Sequence, residues 1–193
     1  MRLTAKSERQ VVSGDAVALR AHLKRGGLIA YPTESCYGLG CDPRSPRALK
    51  RLIDLKGRSA AKGMLLIADR FRCLRPFIRP LGPADMTQLN RSWPGPVTWV
   101  VPASAACPPL LTGGRPTIAV RVTAHPEAAR LCRSLDMALV STSANKSGKK
   151  PAKTAAECRR MFGARVRVIA GRIGTRKRPS TLIDLATGTI LRP

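Results

Sequence analysis

Apolar and polar positions along this chain switch repeatedly between helical and strand spacing. Ala16, Val17, Leu19, Ala21 and Leu23 recur at helical intervals, with Ser13 placed to cap the segment and Gly26-Gly27 to stop it. Residues 28–31, Leu28-Ile29-Ala30-Tyr31, read as a short strand broken at Pro32. Ser45-Pro46 pairs a capping residue with a proline at the first helical position, and the helix it opens puts Leu49, Leu52 and Ile53 on one face. A buried strand is expected at residues 64–68, and a helix at 81–91 after a proline-rich join. Strands follow at 97–101, 117–122 and 137–140, with a helix at 126–134 between the last two. The closing part offers a helix at 154–161 and short strands at 166–169, 181–185 and 189–191. Helices and strands intermingle throughout, without repeats or a long linker. The pattern therefore predicts one α/β or α+β domain over residues 1–193, with its core at about 11–192.

Composition sharpens this picture. With 193 residues and 44% of them hydrophobic, the chain can bury a core without staples; aromatics at 4% leave Val, Ile, Leu and Ala to fill it. No apolar stretch approaches the roughly 18 residues of a membrane span, so a soluble protein is expected. Lys and Arg number 35 against 11 acids, a net charge of +24 and a pI near 11.4. Such an excess favours polyanionic partners, because neutralised phosphates release condensed counterions, though it does not name the partner. The six cysteines, Cys36, Cys41, Cys73, Cys107, Cys132 and Cys158, form no C-x-x-C pair. The first ten residues are polar and carry no secretory signal, so reduced, mostly buried thiols in a cytoplasmic chain are expected. His22 and His125 are the only imidazoles and neither sits at ligand spacing, so no metal-ligating residues are assigned.

Three clusters remain as candidates for chemistry. The first is Tyr31-Pro32-Thr33-Glu34-Ser35-Cys36-Tyr37-Gly38-Leu39-Gly40, a strand followed by a polar turn and glycines. Lys56-Gly57-Arg58 with Lys62, beyond the amphipathic helix, forms the second. In the third, the apolar run to Val140 passes into Ser141-Thr142-Ser143-Ala144-Asn145-Lys146, whose hydroxyls and amide would converge beyond the strand end, where α/β sheets bind ligands. Each has a plainer reading as a turn, a helix end or a cap. No G-x-x-x-x-G-K-[ST] or complete G-x-G-x-x-G accompanies them.

In order along the chain, "AYPTESCYGLGCD", "KGRSAAKG", "WPGPVTWVVP", "TIAVRVTAHP", "LVSTSANKSG" and "RPSTLIDL…ILRP" together resemble the YrdC-like family, in particular its short, single-domain bacterial (TsaC-like) members. The resemblance runs from about residue 11 to 192. Its K-x-R and S-x-N pattern falls on Lys56, Arg58, Ser143 and Asn145. The fold implied is a twisted, mixed, mostly parallel α/β sheet with surrounding helices and a concave basic face. The activity implied is a nucleotidyltransferase that condenses L-threonine, bicarbonate and ATP, with Mg²⁺ bridging phosphates, into L-threonylcarbamoyl-AMP and pyrophosphate. A tRNA threonylcarbamoyl-transferase complex would then modify adenosine 37 of tRNAs that read codons starting with A.

Carried over residue by residue, the resemblance implies Lys56 and Arg58 as catalytic contacts to ATP phosphates or the carbamate, with Ser141, Ser143 and Asn145 also on the nucleotide. Thr33, Arg121, Lys62 and Ser180 fall on the threonine side. "AKGM" and Ser35-Cys36 depart from the usual filling of their motifs, and the chain ends at Pro193, without the further domain of longer members. A non-catalytic RNA-binding module, taking double-stranded RNA or tRNA on the same basic face, is the alternative.

Overall fold

In the computed structural model, which describes residues 14–193, the chain runs through α1 (Gly14–Lys24), β1 (Ile29–Pro32), β2 (Tyr37–Gly40), α2 (Pro46–Lys56), β3 (Leu65–Ala68), α3 (Pro83–Asn90), β4 (Val97–Pro102), α4 (Pro109–Thr112), β5 (Thr117–Val122), α5 (Pro126–Leu135), β6 (Leu139–Ser143), α6 (Ala155–Phe162), β7 (Arg167–Val168), β8 (Thr181–Asp184) and β9 (Ile190–Arg192). The expected Ser13 cap lies outside the described residues. The Ser45 cap is present: its Oγ accepts from the Ala48 amide at 3.2 Å, and Pro46 opens α2. His125 serves the same purpose for α5, its Nδ1 accepting from the Ala128 amide at 3.3 Å. Among the described residues, no helix is long and apolar enough to cross a membrane.

The strands form one nine-stranded mixed sheet in the order β7-β1-β2-β6-β3-β5-β4-β8-β9. The expected parallel majority is not there. β1–β7, β3–β5 and β4–β8 pair in parallel, whereas β1–β2, β2–β6, β3–β6, β4–β5 and β8–β9 are antiparallel. The difference arises at Tyr37-Gly38-Leu39-Gly40, which reads as a glycine-bearing turn but folds as β2, returning antiparallel from β1 and joining it to β6. β6 itself continues through Ser143, so Ser141 and Ser143 stand within the sheet rather than beyond its end.

Strand alternation divides the apolar residues between two faces. One face carries Ala30, Tyr37, Leu39, Leu66, Val120, Trp99 and Val140, packed with Leu49 and Leu52 of α2, Leu89 of α3, and Cys158 and Phe162 of α6. The opposite face carries Ile29, Tyr31, Ile67 and Leu139, covered by Leu19 and Leu23 of α1 and Leu131, Cys132 and Leu135 of α5. This second core is small, and the rest of its sheet face is left for something else.

Tyr31 pins the seam between β1, β2 and β6. Its hydroxyl donates to the Val140 carbonyl at 3.2 Å, and burial drives its ionisation far above the ordinary tyrosine range. The ring passes over Gly40, where a Cβ would come within 2.8 Å of the tyrosine Cε1 and 2.6 Å of the Val140 carbonyl oxygen. Gly40→Ala is therefore expected to lower stability by about 1–3 kcal/mol through overpacking. Urea denaturation checks this, and an unchanged midpoint would contradict the close approach.

Candidate active site

Where α1 and α5 stop covering the second face, the sheet opens into a cavity of about 570 Å³. Its floor follows from the strand register. Ser141, Leu65, Ala119, Val100 and Asp184 lie on one rung across β6, β3, β5, β4 and β8, while Arg121, Ile67 and the β8 residue Leu182 mark the next. Side chains on one rung point to one face, so small residues and hydroxyls at these positions leave space that larger side chains would fill. Five cations line the wall, Arg58, Lys62, Arg115, Arg121 and Arg192, against two acids, Glu34 and Asp184.

Both acids are already engaged. Glu34 pairs with Arg121, Oε2 to Nη2 at 3.1 Å, and its Oε1 accepts from the Thr123 hydroxyl at 2.7 Å. Asp184 Oδ1 accepts from the amides of Ala186 and Thr187, closing the turn into β9. Arg121 is thus neutralised within the protein, and its side chain is only 5% exposed. Thr33 donates its hydroxyl to the Cys36 carbonyl at 2.7 Å, which shapes the turn between β1 and β2. Ser180 shares a 2.8 Å hydrogen bond with Thr98, and Arg192 clamps the Ser180 carbonyl through Nε and Nη2 at 3.2 and 2.8 Å.

Lys56 and Asn145 stand behind the wall, not on it. The Lys56 side chain leaves the last turn of α2 and turns inward, and the residue is 4% exposed. Its Nζ donates to the Ser143 carbonyl at 2.5 Å, the Asn145 carbonyl at 2.9 Å and Asn145 Oδ1 at 3.3 Å. Asn145 completes the knot: its Oδ1 accepts from the Ser143 hydroxyl at 2.6 Å, and its Nδ2 donates to the carbonyls of Lys146 and Lys149. The Ser147 amide returns to the Lys56 carbonyl at 2.8 Å. Lysine has three N–H donors and all three are used here, so this ammonium organises the loop that carries Ser143. Burial, with Arg58 close by, lowers the Lys56 ammonium to about 8.

Of the sequence candidates, the fold gathers Thr33, Arg58, Lys62, Arg121, Ser141, Ser143 and Ser180 around one cavity, with Lys56 and Asn145 supporting its rim. Sequence reasoning missed Glu34, Thr98, Arg115, Asp184 and Arg192 as wall residues, although all but Arg115 lie inside quoted motifs. The cysteines are all thiols, and burial raises Cys36, the one on the cavity wall, above the ordinary thiol range. Among the described residues, no three His, Cys, Asp or Glu side chains gather as metal ligands. With Glu34 paired to Arg121 and Asp184 engaged through Oδ1, at most one wall carboxylate oxygen is left over, too few for a protein-built magnesium site.

Comparison with known proteins places this architecture. The family described as telomere recombination (Sua5/YciO/YrdC) matches residues 21–193. The chain belongs to the Sua5/YciO/YrdC family. A threonylcarbamoyl-AMP synthase of Thiobacillus denitrificans is 74% identical over 93% of this chain and 95% of its own length. One from Methylobacillus flagellatus is 57% identical over 92% and 99%. The crystal structure of P. abyssi Sua5 complexed with L-threonine superposes with a TM-score of 0.82 at 32% identity, covering 92% of this chain and 53% of that one. The chain thus spans about half of that longer protein and nearly all of the shorter relatives. Within the family frame, the cavity occupies the open half of the shared sheet.

The lowered Lys56 value sets a pH dependence. The unfolded chain binds more protons than the native state between about pH 8 and pH 10.5, so the penalty of burying charged Lys56 is present below pH 8 and is relieved as pH rises through that window. Wild-type stability should therefore rise across the window relative to Lys56→Met. Urea midpoints that shift in parallel for the two proteins would overturn the assignment.

Proposed function

We infer that this chain is a threonylcarbamoyl-AMP synthase, a nucleotidyltransferase that joins L-threonine, bicarbonate and ATP. The observation that carries the reading is 74% identity across 93% of the chain to the T. denitrificans synthase. The cavity supports it, since a wall with five cations and only engaged acids suits a reaction that assembles anions.

The chemistry asks little acid–base work of the protein. Threonine's amine and bicarbonate condense to a carbamate with loss of water. A carbamate oxygen then attacks the α-phosphorus of ATP; the new O–P bond forms as the bond to pyrophosphate breaks. Nucleophile and leaving group are both substrate oxygens, so catalysis rests on positioning and on stabilising spreading negative charge. In this reading Arg58 contacts the phosphates from the cavity wall, its planar fork suited to bidentate contact. Ser141 and Ser143 offer hydroxyls to the nucleotide, while Lys56 and Asn145 act through the loop they hold. Thr33, Ser180 and Arg121 face the amino acid, with Glu34 orienting the Arg121 guanidinium, whereas Lys62, expected on that side from the motifs, stands with Arg58 on the phosphate side. Magnesium enters as the companion of ATP, held by phosphates as this ion commonly is.

The domain works as one unit in the cytoplasm, and its product passes to the complex that modifies adenosine 37 of tRNA. The net charge of +24 favours direct contact with that RNA.

Purified protein should release pyrophosphate from ATP only when L-threonine and bicarbonate are both present, with an adenylate product that carries threonine. Release that needs neither would sink the reading. Arg58→Ala should abolish product formation with the fold intact by circular dichroism. Asn145→Ala should weaken ATP binding by about 1–3 kcal/mol through loosening of the loop, measured by titration calorimetry; unchanged affinity would contradict its role.

A further inference from the structure

We propose that Arg115, in the turn before β5, completes a three-cation corner with Arg58 and Lys62 that binds the β- and γ-phosphates of ATP and the departing pyrophosphate. The choice of ligand rests on the synthase reading above; the corner itself rests on geometry.

Two stretches of backbone meet here at unusually close range. Gly113, with φ +64°, lies where a Cβ would come 2.5 Å from the Ala61 carbonyl oxygen, and Gly63, with φ +61°, where one would come 2.7 Å from Arg115 Nη2. Only glycine combines the left-handed backbone with that absence of bulk. The contact brings the 113–116 turn onto the short 3₁₀ turn Ala60–Lys62. Arg115 then donates from Nη1 to the Ala61 carbonyl at 3.0 Å, while Arg58 donates from Nη2 to the Gly63 and Lys62 carbonyls at 3.0 and 3.3 Å. Two guanidiniums thus grip one turn, with Lys62 on the turn between them.

Backbone carbonyls orient these groups without neutralising them. Among the described residues, no carboxylate forms an ion pair with Arg58, Lys62 or Arg115. The Arg58 Nε–H is buried without a partner, and Arg58 is held below the ordinary guanidinium range by burial and then by Arg115. Arg58 is half-buried while Lys62 and Arg115 are exposed at the cavity wall, and like charges grouped without an acid favour an anion between them. The guanidinium N–H groups that the carbonyls leave free suit phosphate oxygens, and each charge-assisted contact is stronger than a neutral one. All three cations line the cavity, so a ligand spanning it reaches them without leaving the site.

The test uses inorganic pyrophosphate as the probe, titrated calorimetrically into the full chain. Arg115→Ala should weaken its binding roughly tenfold, the loss of one charge-assisted contact. Arg115→Gln, which keeps the stem over Gly63, should lose about as much. Arg130→Ala, which removes an exposed charge from α5, controls for net charge and should bind as the wild type does. The corner is overturned if the wild type does not bind pyrophosphate, or if both Arg115 variants match Arg130→Ala. If pyrophosphate binding falls as expected but the wild type makes no threonylcarbamoyl-AMP, the corner stands and the synthase reading fails. A KM for ATP that rises in Arg115→Gln, with the KM for threonine unchanged, supports both.

Discussion

Helices α1 and α5 cover the second face of the sheet only along Ile29, Tyr31, Ile67 and Leu139, and everything functional follows from that partial covering. A sheet this wide needs apolar side chains on both faces wherever both are packed. On the first face they run from β1 to β4. On the second, the same strands change character at the edge of the small core. β3 presents Leu65 after Ile67, β6 presents Ser141 after Leu139, and β5 presents Ala119 beside Arg121. The cavity is the part of the face that α1 and α5 leave uncovered, and Ser141 and Ala119 on its floor, alongside Leu65 and Val100, keep it open.

Two kinds of charge are built into its wall, and the protein treats them differently. Arg121 is neutralised by Glu34, and the ammonium of Lys56 is absorbed by loop oxygens. These cations work for the architecture, one holding the β1–β2 turn to β5 and the other holding the β6 loop to α2. Arg58, Lys62 and Arg115 are oriented by backbone or left at the surface without an acid. A protein optimised only for stability would place a carboxylate among them. The contrast separates groups that maintain the wall from groups available to a ligand, and it explains how anion chemistry can proceed where no histidine is poised to transfer a proton.

Much of this was legible in the sequence. The helical stripe of Leu49 and Leu52 behind Ser45-Pro46, the strand at 117–122 and the helix opened by Pro126 depend on local spacing and capping, which act over a turn or two of chain. The ordered motifs also named most of the cavity wall. What could not be read was direction and partnership. β2 is disguised as a turn because two of its four residues are glycine, one of which, Gly40, is required by the Tyr31 ring crossing from β1. With β2 hidden, the antiparallel returns that dominate the sheet were hidden too.

The roles of charged residues were least accessible, because a side chain's partner lies far away in sequence. Lys56 and Arg58 are two residues apart, yet one turns inward to Asn145 and the other outward to the cavity. Glu34 meets Arg121, and Arg58 meets Arg115, only once the turn after β1 and the segments flanking β3 and β5 are gathered on one assembled sheet. By itself the sequence determined most of the elements, β2 and α4 apart, because their periodicity and caps are local, and which chemistry is available, because residue types set donors and charge. The tertiary structure alone decided which cations are spent on the fold and which are left for a ligand, because neutralisation depends on distances of a few ångströms between segments that only folding brings together.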